Sequence, residues 1–360
     1  MHRIPGNNVS SQLMAPSRRQ FPPESARLGS TGGDALDLAA DMALSQEEAA
    51  YVAAARSPNT LRGYRSDWAE FTAWCARRRA TPMPAQAATI SAYLTELARA
   101  EAKVGTMSRR LSAIRFAHQL RNHPDPTTGA RVVAVWEGIR RTHGAPPEQA
   151  SPLMPPELFV VLDACPARKT WKAKGRPSEP DLAGLRDRAL LLVGFFGALR
   201  RSELAALSIN DIGEHPNGLV IALPRSKVNQ RGEQTELVVL PRADPARCPV
   251  RAVRTWVAAA GLTDGPLLRP ISKGNRALSR ALNPESINDL VQAAVRRAGI
   301  DSAGYSAHSL RAGFVTFAHL RGASDRAIAH QTRHRSLATI GTYVRVHEAW
   351  TDNAATQLGL

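Results

Sequence analysis

A mainly α-helical protein with a small antiparallel β-sheet, folded as two domains, is what the sequence predicts, and three observations carry it. Apolar residues recur at spacings of three and four along most of the chain, the period of a helix with one buried face. Strand-like runs are few: Leu219 to Leu223 and Glu236 to Leu240 are the two that stand out, and they are near enough to pair. A proline-rich stretch, Gly144 to Pro152, interrupts the periodicity, and the 360 residues are enough for a separate core on either side of it.

Residues 1–44 are rich in Pro, Gly, Ser and Arg and poor in bulky apolar residues, so they read as a flexible basic tail. Residues 45–143 read as an all-helical domain. Ser57-Pro58-Asn59-Thr60 has the cap residues and early proline of a helix start, and Leu61, Tyr64, Trp68, Phe71 and Trp74 follow at helical spacing. A second helix is expected from about Pro84 to Ala100, a third from about Thr106 to Arg121 and a fourth from about Ala130 to Arg141. The third places Leu111, Ile114 and Leu120 toward the core. Ser108, Arg109, Arg110, Ser112, Arg115 and His118 occupy its other side, and small hydroxyls interleaved with arginines suit phosphates and base edges in a groove. Arg77, Arg78 and Arg79, by contrast, read as an ordinary solvated helix end.

Residues 144–154 are expected to be an extended, exposed linker, and residues 155–360 a second domain. Pro155 and Pro156 start a helix that runs to Ala164. A basic loop, Arg168 to Arg176 with Trp171 inside it, either rides on phosphates or is a solvated excursion. An apolar helix from Asp181 to Ala198 follows, then the strand pair, then helices from Pro249 to Ala260 and from Pro284 to Ala298.

Composition narrows the partner. Lys and Arg number 47 against 31 Asp and Glu, a formal charge of +16 that points to a polyanion. A membrane span is excluded, because the longest apolar run, Ala189 to Leu199, is far short of the ~20 residues a span needs. No signal-peptide pattern opens the chain. The three cysteines, Cys75, Cys165 and Cys248, lack the spacing of a disulfide framework or a zinc site, which points to a reduced, cytoplasmic protein.

The densest run of reactive side chains lies between Tyr305 and Tyr343. His308 and Arg311 stand three apart at the start of a helix marked by Leu310, Phe314, Phe317, Ala318 and Leu320, on one face of it. His334 comes next and Tyr343 nine residues after that. Two histidines, an arginine and a phenol are what phosphodiester chemistry without a metal requires.

This H-x-x-R, histidine, tyrosine pattern resembles the tyrosine recombinase, or phage integrase, family. The resemblance implies a further arginine in a G-x-L-R-x-S-E-L block, which Gly197 to Leu204 matches with Arg200, and a lysine at a hairpin, which Lys227 matches. It also implies a two-domain clamp: a helical core-binding domain ahead of the catalytic one, closing around double-stranded DNA. In that reading Arg200 and Arg311 present guanidinium forks to the non-bridging oxygens of the scissile phosphate. Tyr343 attacks phosphorus, leaving a 3′-phosphotyrosine and a free 5′-hydroxyl, while His308 handles the phenolic proton. Lys227 protonates the departing oxygen, His334 hydrogen-bonds the phosphate, and Glu203 orients His308 or Arg200. Arg201 is a candidate DNA contact. A 5′-hydroxyl from another strand reverses the step, so neither ATP nor metal is implied. A homotetramer on DNA, built from subunits that are monomeric when free, is implied as well, with Val346, Trp350, Leu358 and Leu360 as a stripe that either docks on a neighbour or folds back.

One departure from the family pattern stands at Arg333, where glycine is common; it strains the local backbone or adds a phosphate contact. Two other readings compete. His330 and His334 have the i, i+4 spacing of a helical metal pair, but Gln331 replaces the glutamate of H-E-x-x-H. A catalytically inactive DNA-binding scaffold is the other, against which stands the presence of a competent side chain at every matched position.

Overall fold

The computed structural model describes residues 45, 47–48, 51, 54–146, 149–169, 171, 177–223, 235–334, 336 and 341. The expected tail, Lys227, Tyr343 and the C-terminal stripe lie outside them. The chain divides into two compact units, Met1–Ala145 and Pro146–Leu360.

In the first unit, Ser57 accepts the amide of Thr60 and Pro58 takes the first turn, so helix α1 (Pro58–Arg78) begins where the sequence signals it. It buries Leu61, Trp68, Phe71, Trp74 and Cys75. Helices α2 (Ala87–Arg99), α3 (Val104–Leu120) and α4 (Ala130–His143) follow. Ring centroids of Phe71 and Trp74 each lie 5.1 Å from Tyr93, which locks α1 to α2 through aromatic edges. Helix α2 starts three residues later than the pattern suggests, because the amide of Ala85 is held by His118 instead of by a helical turn.

In the second unit, α5 (Glu157–Asp163) precedes two short antiparallel strands, β1 (Arg168–Lys169) and β2 (Glu179–Pro180), which close the base of the basic loop. Asp181 caps α6 (Leu182–Phe196), which is apolar on nearly every side and correspondingly buried. After α7 (Arg201–Ala206), strands β3 (Ile212–His215), β4 (Gly218–Leu223) and β5 (Glu236–Pro241) form an antiparallel sheet in sequence order. Strand β3 lacks the alternation of a half-buried strand, since Gly213, Glu214 and His215 are all exposed, and so only β4 and β5 stand out in sequence. Helices α8 (Pro249–Ala259), α9 (Pro284–Arg297), α10 (Ala307–Leu320) and α11 (Asp325–Thr332) complete the unit. Leu320 is exposed, not inward as its spacing suggests.

The far end of the expected linker is not exposed. Leu153 is fully buried, its amide donates to the carbonyl of Ser309 at 2.9 Å, and the amide of Ser151 donates to Gly304 at 2.9 Å. This strap crosses α10 so closely that a Cβ at Gly313 would stand 2.1 Å from the carbonyl oxygen of Leu153. The glycine inside α10, costly by helix propensity, is required by that approach.

Candidate active site

Helix α6 delivers the first cationic group. Gly197 and Ala198 turn the chain, Ala198 at φ 44°, and Arg200 becomes the N-cap of α7. Glu203, one turn on, accepts the Arg200 amide at 2.8 Å with one carboxylate oxygen and the Arg200 Nη1 at 2.6 Å with the other. The carboxylate therefore fixes backbone and guanidinium of the same residue, and the expectation that Glu203 orients Arg200 has a geometry. It also accepts Arg333 Nη2 at 2.6 Å. Burial pushes the Glu203 carboxyl up, but Arg333, the Arg200 amide and the Arg200 guanidinium outweigh it and hold it below its ordinary value.

Ser306 caps α10 through the amide of His308, placing His308 on the exposed first turn and Arg311 one turn deeper. Arg311 is 1% exposed. Its Nη1 donates to the carbonyl of Ala198 at 2.6 Å, and its Nη2 donates to Thr332 at 2.6 Å and meets His334 Nε2 at 2.9 Å. Both arginines are thus bound to one turn, since Ala198 lies two residues before Arg200. Helix α11 ends at Thr332, and Arg333 takes the left-handed conformation at φ 57°, which throws His334 back toward Arg311. Thr332 Oγ1 donates to Ile328 at 2.7 Å and faces His334 Nδ1 at 2.8 Å. Burial, then the charges of Arg311, Arg200, Arg333 and His308, push His334 down to about 4, so it is neutral at physiological pH.

Arg200, Glu203, Arg311 and His334 are brought together, and the influence of His308 on His334 places it within electrostatic range. Three guanidiniums gather here with two carboxylates: Arg200 and Arg333 pair with Glu203, Arg333 also stands by Glu236, and Arg311 is held by backbone carbonyls and His334. The excess positive charge, much of it desolvated, suits an anion with several acceptor oxygens. Arg201 points outward and pairs with Glu285 at 3.6 Å.

Two expectations about this region need correction. Arg333 does not reach out to a phosphate: it is 8% exposed, with its guanidinium on Glu203 and its Nε 3.5 Å from Glu236. The metal-pair alternative fails on geometry, because α11 ends before His334 and the i, i+4 face does not exist. Among the described residues no group of three or more His, Cys, Asp or Glu side chains is placed to hold a metal. Sequence reasoning passed over Thr332 and Gly313, and for Gly313 a helix-interior glycine two positions after Arg311 was the available signal.

The polar side of α3 is also rearranged. His118 is fully buried: Nε2 accepts the Ala85 amide at 2.9 Å and Nδ1 donates to the Ile114 carbonyl at 2.8 Å, so it is a core residue and not a DNA contact. Burial, first of all, pushes its pKa down. Arg109 grips the buried carboxylate of Asp67 with two bonds, 2.7 and 2.9 Å, and Arg110 pairs with Glu70 and Tyr93. Arg115 pairs with Asp125 at 2.6 Å. Ser108, exposed, and Ser112, half-buried, line a cleft with Arg115, Thr127 and Trp136.

Comparison with known proteins agrees with this architecture. Residues 176–349 match the family model described as "Phage integrase family", and residues 49–121 match "Phage integrase, N-terminal SAM-like domain". An integrase/recombinase XerD homolog of Selenomonas ruminantium is 33% identical over 308 residues, covering 84% of this chain and 86% of that protein. Tyrosine recombinase XerD of Caulobacter vibrioides is 28% identical over 297 residues, covering 82% and 87%. Among solved structures, XerH recombinase bound to its difH substrate in a post-cleavage complex superposes with a TM-score of 0.56 at 16% identity, over 87% of this chain and 84% of that one. A lambda integrase dimer bound to a core site gives 0.53 at 16%, over 80% and 72%. The two domain models, the extent of the bacterial relatives and the recombinase fold converge: this chain belongs to the phage integrase family of tyrosine recombinases.

Proposed function

We propose that this site-specific recombinase cuts and rejoins DNA at the cluster formed by Arg200, Glu203, Arg311 and His334, without metal or ATP. The observation that supports this most is the pair of arginines fixed to one turn, Arg200 by Glu203 and Arg311 by the Ala198 carbonyl. Two forks held this way supply the preorganised charge that a phosphodiester transition state needs. The Tyr343 oxygen attacks phosphorus, its proton passing to His308. The bond from phosphorus to the 5′ oxygen breaks, and Lys227 protonates the leaving oxygen. Attack by a 5′-hydroxyl of another strand runs the step backward, so bond energy is conserved in the phosphotyrosyl link.

In this reading the helical unit 45–143 and the catalytic unit 155–360 grip double-stranded DNA between them inside the cell. The subunits are monomeric when free and assemble as a tetramer on DNA, as lambda integrase does on a Holliday junction. Ser108, Ser112, Arg115 and Arg201 remain the DNA contacts proposed outside the active site, with Arg109 and Arg110 contributing through whatever reach their ion pairs leave them.

A nicked duplex carrying the protein's own recombination site, selected by sequencing DNA bound to the protein, tests the chemistry. The chain should form a covalent adduct in EDTA, and Tyr343→Phe should bind the same DNA without forming one. Adduct formation by Tyr343→Phe, or a requirement for a divalent metal, would sink the mechanism.

A further inference from the structure

Arg333 occupies a place in this site that its sequence position does not explain. A left-handed turn needs no side chain, and an arginine there is conformationally disfavoured relative to glycine. Yet this arginine is buried, and burying a guanidinium is costly unless carboxylates meet it. Two do. Glu203 Oε2 accepts Nη2 at 2.6 Å, and Glu236, at the start of β5, lies 3.5 Å from Nε. That Glu203 oxygen is the one that also holds the Arg200 amide, while its other oxygen holds the Arg200 guanidinium.

We propose that Arg333 is a positioning residue of the recombination site. It completes a chain from Arg200 through Glu203 to Arg333 and Glu236 that fixes the first phosphate-binding guanidinium and ties the His334 turn to strand β5. The inference rests on the proposed strand-cleavage reaction. Arg333 touches no substrate in this scheme; it acts through Glu203. With Arg333 in place, the carboxylate is fixed by two guanidiniums and an amide, so it cannot swing away with Arg200 when an anionic phosphate competes for that guanidinium. Without it, Glu203 keeps one cation and gains freedom to follow Arg200. The groups around the carboxylate are Arg200 on its own helix, Arg333 beyond α11 and, across Arg333, Glu236 on β5.

The test measures the single-turnover rate of covalent adduct formation on a nicked duplex, DNA affinity and melting temperature in parallel. Arg333→Gly relieves the backbone and removes only the side chain. Its expected rate is lower by roughly 10- to 100-fold, by analogy with the loss of the partners that orient metal ligands, with affinity unchanged. Its rate should also fall off at a higher pH on the acid side, because Glu203 loses its strongest charged partner. The pair Arg333→Gly with Glu203→Gln should be no slower than Glu203→Gln alone, since both cut the same chain. Arg333→Gln, which keeps most of the bulk without charge, repeats the measurement should the glycine variant melt early. A wild-type rate in either neutral variant, or losses that multiply in the double variant, overturns the proposal. Failure of the unaltered protein to form any adduct would instead overturn the cleavage mechanism, and the two outcomes cannot be confused.

Discussion

Arg311 Nη2 lies 2.9 Å from His334 Nε2, and a guanidinium has no lone pair to offer, so the imidazole is the acceptor in this contact. The ring proton is then on Nδ1, where Thr332 Oγ1 stands 2.8 Å away as acceptor while its own hydroxyl donates to the Ile328 carbonyl. His334 thus holds Arg311 through Nε2 and directs its Nδ1 proton to Thr332.

Stability should therefore depend on pH through His334. Its ordinary pKa of 6.5 drops to about 4 in the fold, so between these values the unfolded chain binds a proton that the native one refuses. The stabilisation is complete above 6.5 and is lost as pH falls toward 4. Urea midpoints measured across that window should decline for the protein and decline less for His334→Gln; equal slopes refute the assignment.

Bound phosphate should reverse the shift. Its negative charge offsets the three arginines and raises the pKa of His334, freeing the ring to become a donor. Imidazole titration by NMR, with and without a DNA duplex, should show a higher His334 pKa in the complex.

Arg311→Lys leaves the carbonyls of Ala198 and Thr332 without the fork that joins them. Losing such preorganised charge should slow adduct formation on the order of 10²–10³-fold. The unmet buried carbonyls should lower unfolding free energy by about 1–3 kcal/mol. Single-turnover kinetics and urea titration separate the two effects.

Gly313→Ala forces a methyl group against the Leu153 carbonyl. We expect a loss of about 1–3 kcal/mol, as for an overpacked core, and slower cleavage because α10 carries both His308 and Arg311. A variant as stable as the parent would show that the strap yields.

His118→Ala should behave as a core lesion. It orphans the amide of Ala85 and should cost about 1–3 kcal/mol of stability, while DNA affinity of the folded protein stays the same. A salt-dependent loss of affinity without a loss of stability would return His118 to the DNA surface.

Much of this architecture is legible in the residues. Ser57-Pro58, Asp181 and Ser306 mark helix starts by chemistry local enough to read from a few neighbours. His308 and Arg311 are legible because they open an apolar helix pattern, whereas Arg200 is reached through the motif that the family resemblance implies. What could not be read depends on contacts across distant positions. Arg333 looks like a surface arginine until Glu203 and Glu236 arrive on either side, and His118 looks wet until the Ala85 amide finds it. Arg109 reads as a groove-facing cation, but the buried Asp67 that occupies it lies 42 positions away. Leu153 sits in a proline-rich run whose composition says linker, yet its side chain packs in the core of the second unit while its backbone passes against Gly313.

That strap decides where the catalytic half can be cut free. A fragment that starts at Glu157 discards Ser151 and Leu153, taking one donor from each of the Ser309 and Gly304 carbonyls and leaving a leucine-sized hollow in the core of the unit. Proteolysis or truncation that spares the chain from Ser151 onward keeps the helix of His308 and Arg311 seated, so the autonomous piece begins inside what reads as tether.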